Sequence, residues 1–585
     1  MTNDLSARAL AWASDDPDAT TAAELRALVE RGDTASLAER MAGPLLFGTA
    51  GLRGLLGAGE SRMNLAVIRR TTAGLAAHLL ATSPDVASKG VVVGYDGRRQ
   101  SREFAEATAG VLAASGIKAH LFPQLCATPL VAFAVRDLGA TAGVMVTASH
   151  NPPDYNGYKV YGSSGSQIVP PDDEQIAARI AAVGPARDVP CLDEAAARAA
   201  GRLVDVPDAL IERYFTATLA LLRRPAGAPG RDALRIVYTP MHGTGDRFAR
   251  ELLARAGFTH VTSVPEQQQP DGAFPTVAFP NPEEPGALDL AFALGRRESA
   301  HLIVANDPDA DRLAIAIADA SRPGGYRQLT GNEVGALLGD FVLRTGEPDP
   351  KRLVVTTAVS SPMLRHIAEH HGVGYGEVLT GFKWIAHLAL TREASHGARF
   401  VFGYEEALGY AIGTAVRDKD GLSAALVFGE LAALAASEGR TVADELERLS
   451  REVGLFVSTQ RNVTRPGSSG AAEISATMER LRAHPPTRIG DRAVVAFTDV
   501  QRGVRREGGT ETRIELPASN VLVFELDGGA RVVARPSGTE PKIKYYLDLR
   551  EPVTADEPFA AARTRAEGRL TALADAWMGI VNASA

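Results

Sequence analysis

The sequence predicts an α/β protein that consists of three successive α/β domains with mixed sheets and a smaller C-terminal α+β domain. Short apolar runs typical of buried strands alternate with helical segments, and this alternation restarts three times along the chain. The last quarter instead holds short alternating runs at 494–497, 521–525 and 543–547, which favour antiparallel strands. A chain of 585 residues also exceeds what one hydrophobic core usually holds, so several domains are expected.

The predicted domain boundaries follow from the places where the alternation restarts. A Pro- and Gly-rich stretch at 223–230 is expected to link the first two α/β domains. In the N-terminal region, Thr20 or Thr21 is expected to cap a helix over 22–31. The predicted units are a helical extension at 1–45, domain I at 46–224, domain II at 231–330, domain III at 331–455 and domain IV at 456–585.

Composition favours a cytoplasmic protein that acts on small molecules. The chain has 62 basic and 70 acidic residues, a net charge of −8, which argues against general nucleic-acid binding. Cys126 and Cys191 form neither a disulfide framework nor a zinc motif, and they fit a reducing compartment. The acidic N-terminus does not resemble a signal peptide, and no apolar run is long enough for a membrane span. We therefore expect neither nucleic acid nor membrane as a partner.

Domain I opens with the glycine-rich segment FGTAGLRG at 47–54. Its glycines allow the backbone to approach an anion closely, and Arg53 offers a bidentate fork for a phosphate. Glycine turns are common, so a plain turn is the alternative. Helices at 65–80, 101–115 and 129–138 then alternate with strands at 90–94 and 118–122. This order predicts a doubly wound sheet.

The next strand of domain I, at 143–146, leads into the segment TASHNPPDYNGYKVY at 147–161. Ser149 and His150 follow the strand directly, and the prolines just after them forbid a helix. Ligands in open α/β sheets bind at the carboxyl ends of strands. Ser149 is therefore predicted on a stiff loop at the edge where chemistry takes place, with Lys159 ten residues further on. A polar structural turn is the alternative when this segment is considered alone.

Domain II carries the motif DPDADR at 307–312, directly after a strand at 302–305. Asp307, Asp309 and Asp311 alternate, so their carboxylates point to one side of an extended loop. Like charges at such a point favour a bound cation, and three carboxylates with one phosphate oxygen suit Mg²⁺. A calcium EF-hand is excluded because Arg312 and Ala318 stand where it needs glycine and glutamate. A solvated acidic turn is the remaining alternative.

Domain III carries the segment GYEEALGY at 403–410. Glu405 and Glu406 are adjacent carboxylates between glycines, and carboxylates accept hydrogen bonds from sugar hydroxyls. The alternative is an acidic first turn of a helix. This segment is a candidate sugar-binding loop.

Domain IV carries the segment RPSGTEPK at 535–542. Arg535, the hydroxyls of Ser537 and Thr539, and the backbone N–H groups around Gly538 are the parts of a phosphate cradle. A plain turn between strands is the alternative. A nucleophilic serine, a metal loop, a sugar loop and a phosphate loop together indicate phosphoryl transfer, in which positioning and charge neutralisation supply most of the catalysis. A phosphorylated Ser149 would be the covalent donor to a phosphorylated sugar or polyol.

With these four motifs in this order, the chain resembles the α-D-phosphohexomutase superfamily of phosphoglucomutases and phosphomannomutases. The resemblance covers nearly the whole chain and implies four domains around one central cleft. It implies reversible transfer between positions 1 and 6 of a hexose phosphate, glucose or mannose, through phosphoserine and a sugar bisphosphate intermediate. It also implies one Mg²⁺ per active site, held by Ser149 and the three aspartates, with sugar bisphosphate as activator.

The same resemblance implies roles for individual residues. Arg53 would contact the serine loop, Arg312 would steady the transferring group and His150 would orient the site. Lys159 and Lys383 match lysines at the chemistry, as acid/base groups or charge stabilisers. The chain is expected to be a monomer or a weak homodimer.

Ala407 marks a departure from the commoner sugar loop, Gly-Glu-Glu-Ser-Gly. Together with Tyr404 before the glutamates and WASDDPDATT near Trp12, it resembles a longer branch that includes phosphoglucomutase-2-like and phosphopentomutase enzymes. A pentomutase acting on ribose or deoxyribose 1-/5-phosphate is therefore the alternative function. Further alternatives are a sugar phosphatase with an aspartate nucleophile, which leaves the serine loop unexplained, and a non-catalytic sensor, which leaves the intact catalytic groups unexplained.

Overall fold

The computed structural model describes residues 2–46, 51–322, 324–465, 470–537 and 542–583. The predicted α/β class is confirmed: helices surround three successive mixed sheets, and an antiparallel sheet with helices follows. We refer to the units built on these four sheets as domains I to IV.

The N-terminal extension is helical and has its own small apolar core around Leu25 and Leu37. Its second helix begins at Ala19 because the side chain of Asp18 caps it and accepts from the Thr20 N–H. The prediction of Thr20 or Thr21 as the cap was wrong, since Thr21 Oγ1 instead donates to Asp16 Oδ2 at 2.6 Å. The helices are α1 (Thr2–Asp15), α2 (Ala19–Glu30) and α3 (Thr34–Arg40).

Domain I holds a six-stranded sheet. Its strands are β1 (Leu52–Leu55), β2 (Val91–Tyr95), β3 (Ala119–Leu121), β4 (Ala142–Val146), β5 (Tyr155–Gly162) and β6 (Leu203–Asp205). Their order is β1-β5-β4-β2-β3-β6. Strand β5 runs antiparallel to both of its neighbours, β1 and β4, and the pairs among β4, β2, β3 and β6 are parallel. The predicted elements end within two residues of the observed ones, but β5 was missed because its polar residues hide the strand pattern. Lys159 therefore lies on a strand.

The helices of domain I cover the sheet from both sides. They are α4 (Leu65–Thr82), α5 (Val86–Lys89), α6 (Ser101–Ala114), α7 (Thr128–Asp137), α8 (Asp172–Ala181), α9 (Glu194–Ala199) and α10 (Asp208–Leu219). A short 3-10 helix, Ala186–Asp188, lies between α8 and α9.

Domain II holds a five-stranded sheet of order β11-β10-β9-β7-β8. The strands are β7 (Arg235–Thr239), β8 (His260–Ser263), β9 (Leu302–Ala305), β10 (Ala314–Ala318) and β11 (Tyr326–Gln328), with helices α11 (Asp246–Ala256) and α12 (Asp289–Glu298). The DPDADR motif forms the turn between the antiparallel strands β9 and β10. The apolar strands on both sides hold this acidic turn at the edge of a buried sheet.

Domain III holds a four-stranded sheet of order β13-β12-β14-β15. The strands are β12 (Arg352–Thr357), β13 (Gly374–Val378), β14 (Arg399–Glu405) and β15 (Gly409–Ile412). Its helices are α13 (Gly331–Thr345), α14 (Met363–His370), α15 (Phe382–His396), α16 (Gly421–Ser437) and α17 (Val442–Val453). The candidate sugar-binding loop is the turn from β14 to β15.

Domain IV is an antiparallel sheet packed on two helices, with Trp577 and Phe524 in its core. The strands are β16 (Leu455–Thr464), β17 (Arg488–Ile489), β18 (Arg492–Asp499), β19 (Val504–Glu507), β20 (Thr510–Arg513), β21 (Leu522–Leu526), β22 (Arg531–Pro536) and β23 (Lys542–Glu551). The helices are α18 (Gly470–Ala483) and α19 (Phe559–Asn582), and a short 3-10 helix spans Asp527–Gly529.

Domains I to III share one apolar cluster, whereas domain IV has a separate core. The shared cluster includes Leu130 of α7, Leu252 of α11 and Phe428 of α16. The predicted linker at 223–230 is anchored on this block, because the buried Glu430 accepts from the backbone N–H groups of both Arg223 and Arg224. The shared apolar cluster therefore fixes domains I to III, and the loops at their strand ends, relative to one another.

In the described part of the chain, no single helix has both the length and the apolar composition of a membrane span; α16 and α17 meet that test only together, with a 92° bend between them.

Candidate active site

The serine loop and the metal loop meet directly between domains I and II. Ser149 Oγ donates to Asp307 Oδ2 at 2.8 Å, and both residues are buried. Each lies just past the carboxyl end of a central strand, β4 or β9. The hydroxyl and the carboxylate thus come from separate sheets and meet at the carboxyl ends of their strands, where ligands bind in α/β sheets.

Arg98 holds the serine loop in shape. Ser149 has a positive φ of 54°, a conformation that costs a non-glycine residue energy and needs support. The buried guanidinium of Arg98 provides it by donating to the carbonyl oxygens of Ser149, Asn151, Pro152 and Tyr155 at 2.5–3.2 Å. Arg98 was not among the predicted site residues, although its position just after a buried strand was a signal available in the sequence.

Arg53 and His150 also lie against the serine loop. Arg53 Nη1 donates to Asn151 Oδ1 at 2.8 Å. Burial, and then the nearby charge of Arg312, lower the pKa of Arg53 to about 10, so it stays charged at neutral pH. His150 Nδ1 lies 3.2 Å from Ser149 Oγ. Burial, and then Arg312 and Arg53, hold the pKa of His150 well below its usual value, so the imidazole is neutral there.

The three aspartates of the metal loop form a compact buried cluster. One ligand oxygen from each lies within 4.8 Å of the others, and none of the three side chains is exposed to solvent. Thr128 Oγ1 donates to Asp309 Oδ2 at 2.6 Å, and the Arg312 N–H donates to Asp307 Oδ1 at 3.0 Å. Asp309 Oδ1 and Asp311 Oδ1 have no hydrogen-bond partner among the described residues. Buried carboxylate oxygens without partners fit a hard divalent cation.

Two lysines balance the charge of this cluster. Lys159 Nζ lies 2.7 Å from Asp309 Oδ2 and 2.9 Å from Asp311 Oδ2. Burial favours a lower pKa for Lys159, but these two carboxylates outweigh it and the pKa is raised. Lys419 Nζ lies 3.4 Å from Asp311 Oδ2 on the other side. Lys419 was not among the predicted site residues, because its partner Asp311 comes from another domain.

Lys383 and Arg312 differ in how close they come to the aspartates. Lys383 lies in the first turn of α15 and pairs with Asp173 of α8 at 3.5 Å. In the described part of the chain no ion pair joins it to the metal loop, where Lys419 lies instead. Arg312 Nε lies 3.9 Å from Asp307 Oδ2, and its Nη1 lies 3.7 Å from Glu283 Oε2.

The sugar-binding candidate lies next to the metal loop, since the Leu313 N–H donates to the carbonyl oxygen of Leu408 at 3.0 Å. Glu405 Oε1 accepts from the Gly381 N–H at 2.6 Å, and Glu406 Oε2 accepts from Ser360 Oγ at 3.0 Å. Burial raises the pKa of both glutamates. Glu406 also lines a cavity of about 380 Å³ between domains II, III and IV.

Tyr404 does not face the cleft. Its ring is fully buried, and its hydroxyl donates to Asn332 Oδ1 at 3.2 Å. The tyrosine that precedes the two glutamates is therefore a core residue, and the carboxylates of the loop are the groups left to meet a ligand.

The candidate phosphate loop is only partly described. Arg535 on β22 is paired in register with Lys544 on β23, and the Ser537 N–H donates to the carbonyl oxygen of Lys542 at 2.8 Å. Gly538 and Thr539 lie outside the described residues. Arg535 and Lys544 both interact electrostatically with Glu406 of the sugar loop. Lys544 was not among the predicted site residues, although it lies on the strand next to Arg535 and is paired with it in register.

Comparison with known proteins identifies the family of this chain. Family models for the α/β/α domains I, II and III of phosphoglucomutase/phosphomannomutase match residues 44–186, 212–321 and 330–452, more than half of the chain. The chain belongs to the phosphoglucomutase/phosphomannomutase family. It is accordingly a phosphosugar mutase, an isomerase, of a family whose members depend on a metal.

Relatives extend the match over most of the chain. A probable phosphomannomutase of Haemophilus influenzae is 41% identical over 85% of this chain and 96% of its own length. A probable phosphoribomutase of Schizosaccharomyces pombe is 37% identical over 92% of both. A phosphoglucomutase of Staphylococcus epidermidis is 37% identical over 86% of this chain and 90% of its own length. Two of these three relatives are named as hexose mutases and one as a phosphoribomutase.

Solved structures show the same fold. A putative phosphomannomutase from Thermus thermophilus superposes with a TM-score of 0.63 at 25% identity, covering 87% of this chain and 96% of its own. The open form of parafusin, a phosphoglucomutase from Paramecium, superposes with a TM-score of 0.67 at 17% identity, covering 92% and 96%. The four-domain architecture is therefore that of the family.

Proposed function

We propose that this chain is a Mg²⁺-dependent mutase that moves a phosphoryl group between O1 and O6 of a hexose phosphate, glucose or mannose. Phosphoserine at Ser149 is the donor and a sugar bisphosphate is the intermediate. The carrying observation is the 2.8 Å contact between Ser149 Oγ and Asp307 Oδ2 inside a cluster of three buried carboxylates. A serine hydroxyl at a candidate metal site suits a phosphate carrier better than a hydrolytic nucleophile with a base triad.

Asp307, Asp309 and Asp311, together with a phosphate oxygen on Ser149, would hold the ion. When bound, Mg²⁺ neutralises charge on the phosphoryl group. Lys159 and Lys419 offset the remaining carboxylate charge, and Arg312 lies where it can meet an equatorial phosphoryl oxygen.

The transfer conserves every atom of the sugar phosphate. The P–O bond to Ser149 Oγ breaks as the phosphorus bonds to the free sugar hydroxyl oxygen, whose proton passes to a basic side chain. The resulting bisphosphate turns around in the cleft. Its other phosphoryl group then bonds to Ser149 Oγ, and the proton returns to the oxygen it leaves. Lys159, Lys383 and His150 are the candidate acid/base groups, and a trace of bisphosphate primes Ser149.

The binding groups of domains III and IV must accept the intermediate in both of its orientations. Glu405 and Glu406 accept from sugar hydroxyls, and Arg535, Ser537 and Lys544 receive the phosphate that is not reacting. We extend this phosphate loop to Gly538 and Thr539 from the sequence. The proposal includes a cytoplasmic protein that works as a monomer or weak homodimer, with neither nucleic acid nor membrane as partner.

Replacing Ser149 with alanine tests the covalent route. Ser149→Ala should lower kcat by about a million-fold, the scale seen when a nucleophile is removed. Turnover of glucose 1-phosphate, mannose 1-phosphate and ribose 1-phosphate is measured on one preparation, with intact mass to detect the phosphoryl group. The wild type should carry one phosphoryl group and prefer a hexose.

Ser163→Ala is the matched control, because Ser163 is exposed on the loop after β5. It should retain both the phosphoryl group and the activity. Near-normal turnover by Ser149→Ala would refute the phosphoserine route, and a higher kcat/KM for ribose 1-phosphate would refute the hexose assignment.

A further inference from the structure

A buried aspartate next to the active site joins domain I to domain III. Asp418 is 1% exposed and lies on the loop before α16. Its Oδ2 accepts from Tyr161 Oη at 3.0 Å and from Gln167 Nε2 at 2.7 Å, both of domain I. Its Oδ1 accepts from the backbone N–H of Lys419 at 2.8 Å. This carboxylate is fully engaged, although the reaction scheme above gives it no role.

Asp418 also contacts the ammonium group of its neighbour. Lys419 Nζ lies 3.3 Å from Asp418 Oδ1 and 3.4 Å from Asp311 Oδ2. The Phe382 ring covers the same ammonium group, with its centroid at 5.5 Å. Lys419 is thus held between an aspartate of domain III and an aspartate of the metal loop.

Strand β5 contributes to both sides of this arrangement. Lys159 and Tyr161 are two residues apart on β5, so their side chains leave the same face. Lys159 reaches Asp309 and Asp311, while Tyr161 reaches Asp418. Strand β5 therefore carries Lys159 itself and also Tyr161, which holds the aspartate that pairs with Lys419.

We propose that Asp418, fixed by Tyr161 and Gln167, is a positioning residue that holds Lys419 against Asp311 for phosphoryl transfer. The inference rests on the proposed function and adds the residues that orient one of its charges. A buried lysine side chain with four rotatable bonds needs such a fixed partner to keep its ammonium group in place. Without the Asp418 charge, the Lys419 ammonium group loses one of the two carboxylates with which it forms ion pairs.

Asp418→Asn removes the charge and keeps the shape. Its amide cannot accept from Tyr161, Gln167 and both nitrogens of Lys419 at once. We expect kcat to fall about 10- to 100-fold, the scale seen when a residue that orients a catalytic group is lost. KM should change little, because the described contacts of the Asp418 carboxylate are with Tyr161, Gln167 and Lys419. A crystal structure of the variant should show Lys419 Nζ displaced from Asp311 Oδ2.

A double-mutant cycle separates positioning from general packing. If Asp418 acts through Lys419, Asp418→Asn should slow a Lys419→Met enzyme no further. Multiplied losses in the double mutant, or wild-type kcat in Asp418→Asn, would overturn the inference. Tyr161→Phe removes one hydrogen bond to Asp418 and should show the same non-additivity with Lys419→Met, with a smaller loss of kcat. If Asp418→Asn fails to fold, Tyr161→Phe tests the inference in its place. Wild-type kcat in Tyr161→Phe would then be the overturning result.

Asp420→Asn is the matched control. Asp420 is also buried and accepts from Tyr214 Oη at 3.0 Å, but its carboxylate caps α16 and forms no ion pair with the Lys419 ammonium group among the described residues. It should lower the melting temperature and leave kcat per folded molecule unchanged, whereas a kcat loss equal to that of Asp418→Asn would count against the inference. The cycle can be run on whichever sugar phosphate the wild type isomerises, so failure of the hexose assignment is seen separately.

Discussion

Like charges at the metal loop make single residues there unusually sensitive. Burial, and then Asp309 and Asp311, raise the pKa of Asp307 well above its usual value, whereas Lys159 helps to lower the pKa of Asp309 and Asp311. Two oxygens of the cluster still lack a partner among the described residues. A bound dication would relieve both the repulsion and the unsatisfied acceptors.

Metal should therefore stabilise the folded chain measurably. We expect Mg²⁺ at about 100 times its Kd to add about 2.7 kcal/mol of stability to the domain that binds it. The measurement is the melting temperature in EDTA and across a Mg²⁺ titration. Asp309→Asn should abolish the shift.

Asp319→Asn is the control for that titration, since Asp319 follows β10 in the same domain and its carboxylate accepts from the N–H and the hydroxyl of Ser321 in its own turn. It should keep the full shift. An equal shift in Asp309→Asn would show that Mg²⁺ binds elsewhere.

At the level of elements, helix α16 ties the chain between domains I and II to domain III. Glu430 is fully buried near the middle of this helix and accepts from Arg231 Nη2 at 2.6 Å, besides two backbone N–H groups of the 223–230 segment. Composition predicted a linker there, and it could not predict an anchor 200 residues away. Because Arg231 and Glu430 are both buried, removing either charge leaves the other without compensation.

Breaking that pair should open the segment locally. Glu430→Gln strands the buried Arg231 guanidinium, so the opening free energy of 223–231 and α16 should fall by about 3–5 kcal/mol. Hydrogen exchange of these amides measures it. Glu438→Gln removes an exposed partner of Arg440 and should cost less than about 1 kcal/mol. Equal losses in the two variants would contradict this account.

At the scale of the whole molecule, the active site is divided between domains I to III and domain IV. Domains I to III share one core and domain IV has its own, and a smaller apolar cluster that includes Val359 and Val533 joins domains III and IV. Part-buried polar contacts, such as Arg563 Nη2 to Glu333 Oε1 at 2.9 Å, cross the same boundary. The apolar part of this interface is a small cluster rather than a continuous core, so motion of domain IV relative to domain III is expected.

We expect domain IV to close over the substrate, because its phosphate loop must meet a ligand held by the other three domains. Small-angle scattering should show a smaller radius of gyration when hexose bisphosphate is added to the wild type. Arg535→Met should reduce this compaction, since the variant loses the guanidinium that receives the distal phosphate. An unchanged radius in the wild type, or equal compaction in both proteins, would contradict the closure.

Much of the fold and the outline of the site could be predicted from local sequence. The apolar runs before Ser149 and Asp307 are strands, and turn-forming residues after them force the loops. Strand β5 was not predicted, because Asn156 and Gly157 disfavour strands and only pairing with β4 and β1 forms it. Lys419 and Asp418 were missed for a similar reason: their partners, Asp311 and Tyr161, come from other domains.

The sequence by itself determined the chemical groups: a serine on a stiff turn, three alternating aspartates, paired glutamates and an arginine loop, in the order of one family. These are local patterns of residue type and spacing, so they can be recognised in the sequence without a structure. Only the tertiary structure decided which charges face one another. It paired Lys383 with Asp173, placed Lys419 beside Asp311 and turned Tyr404 into the core, because such contacts depend on how separate domains pack.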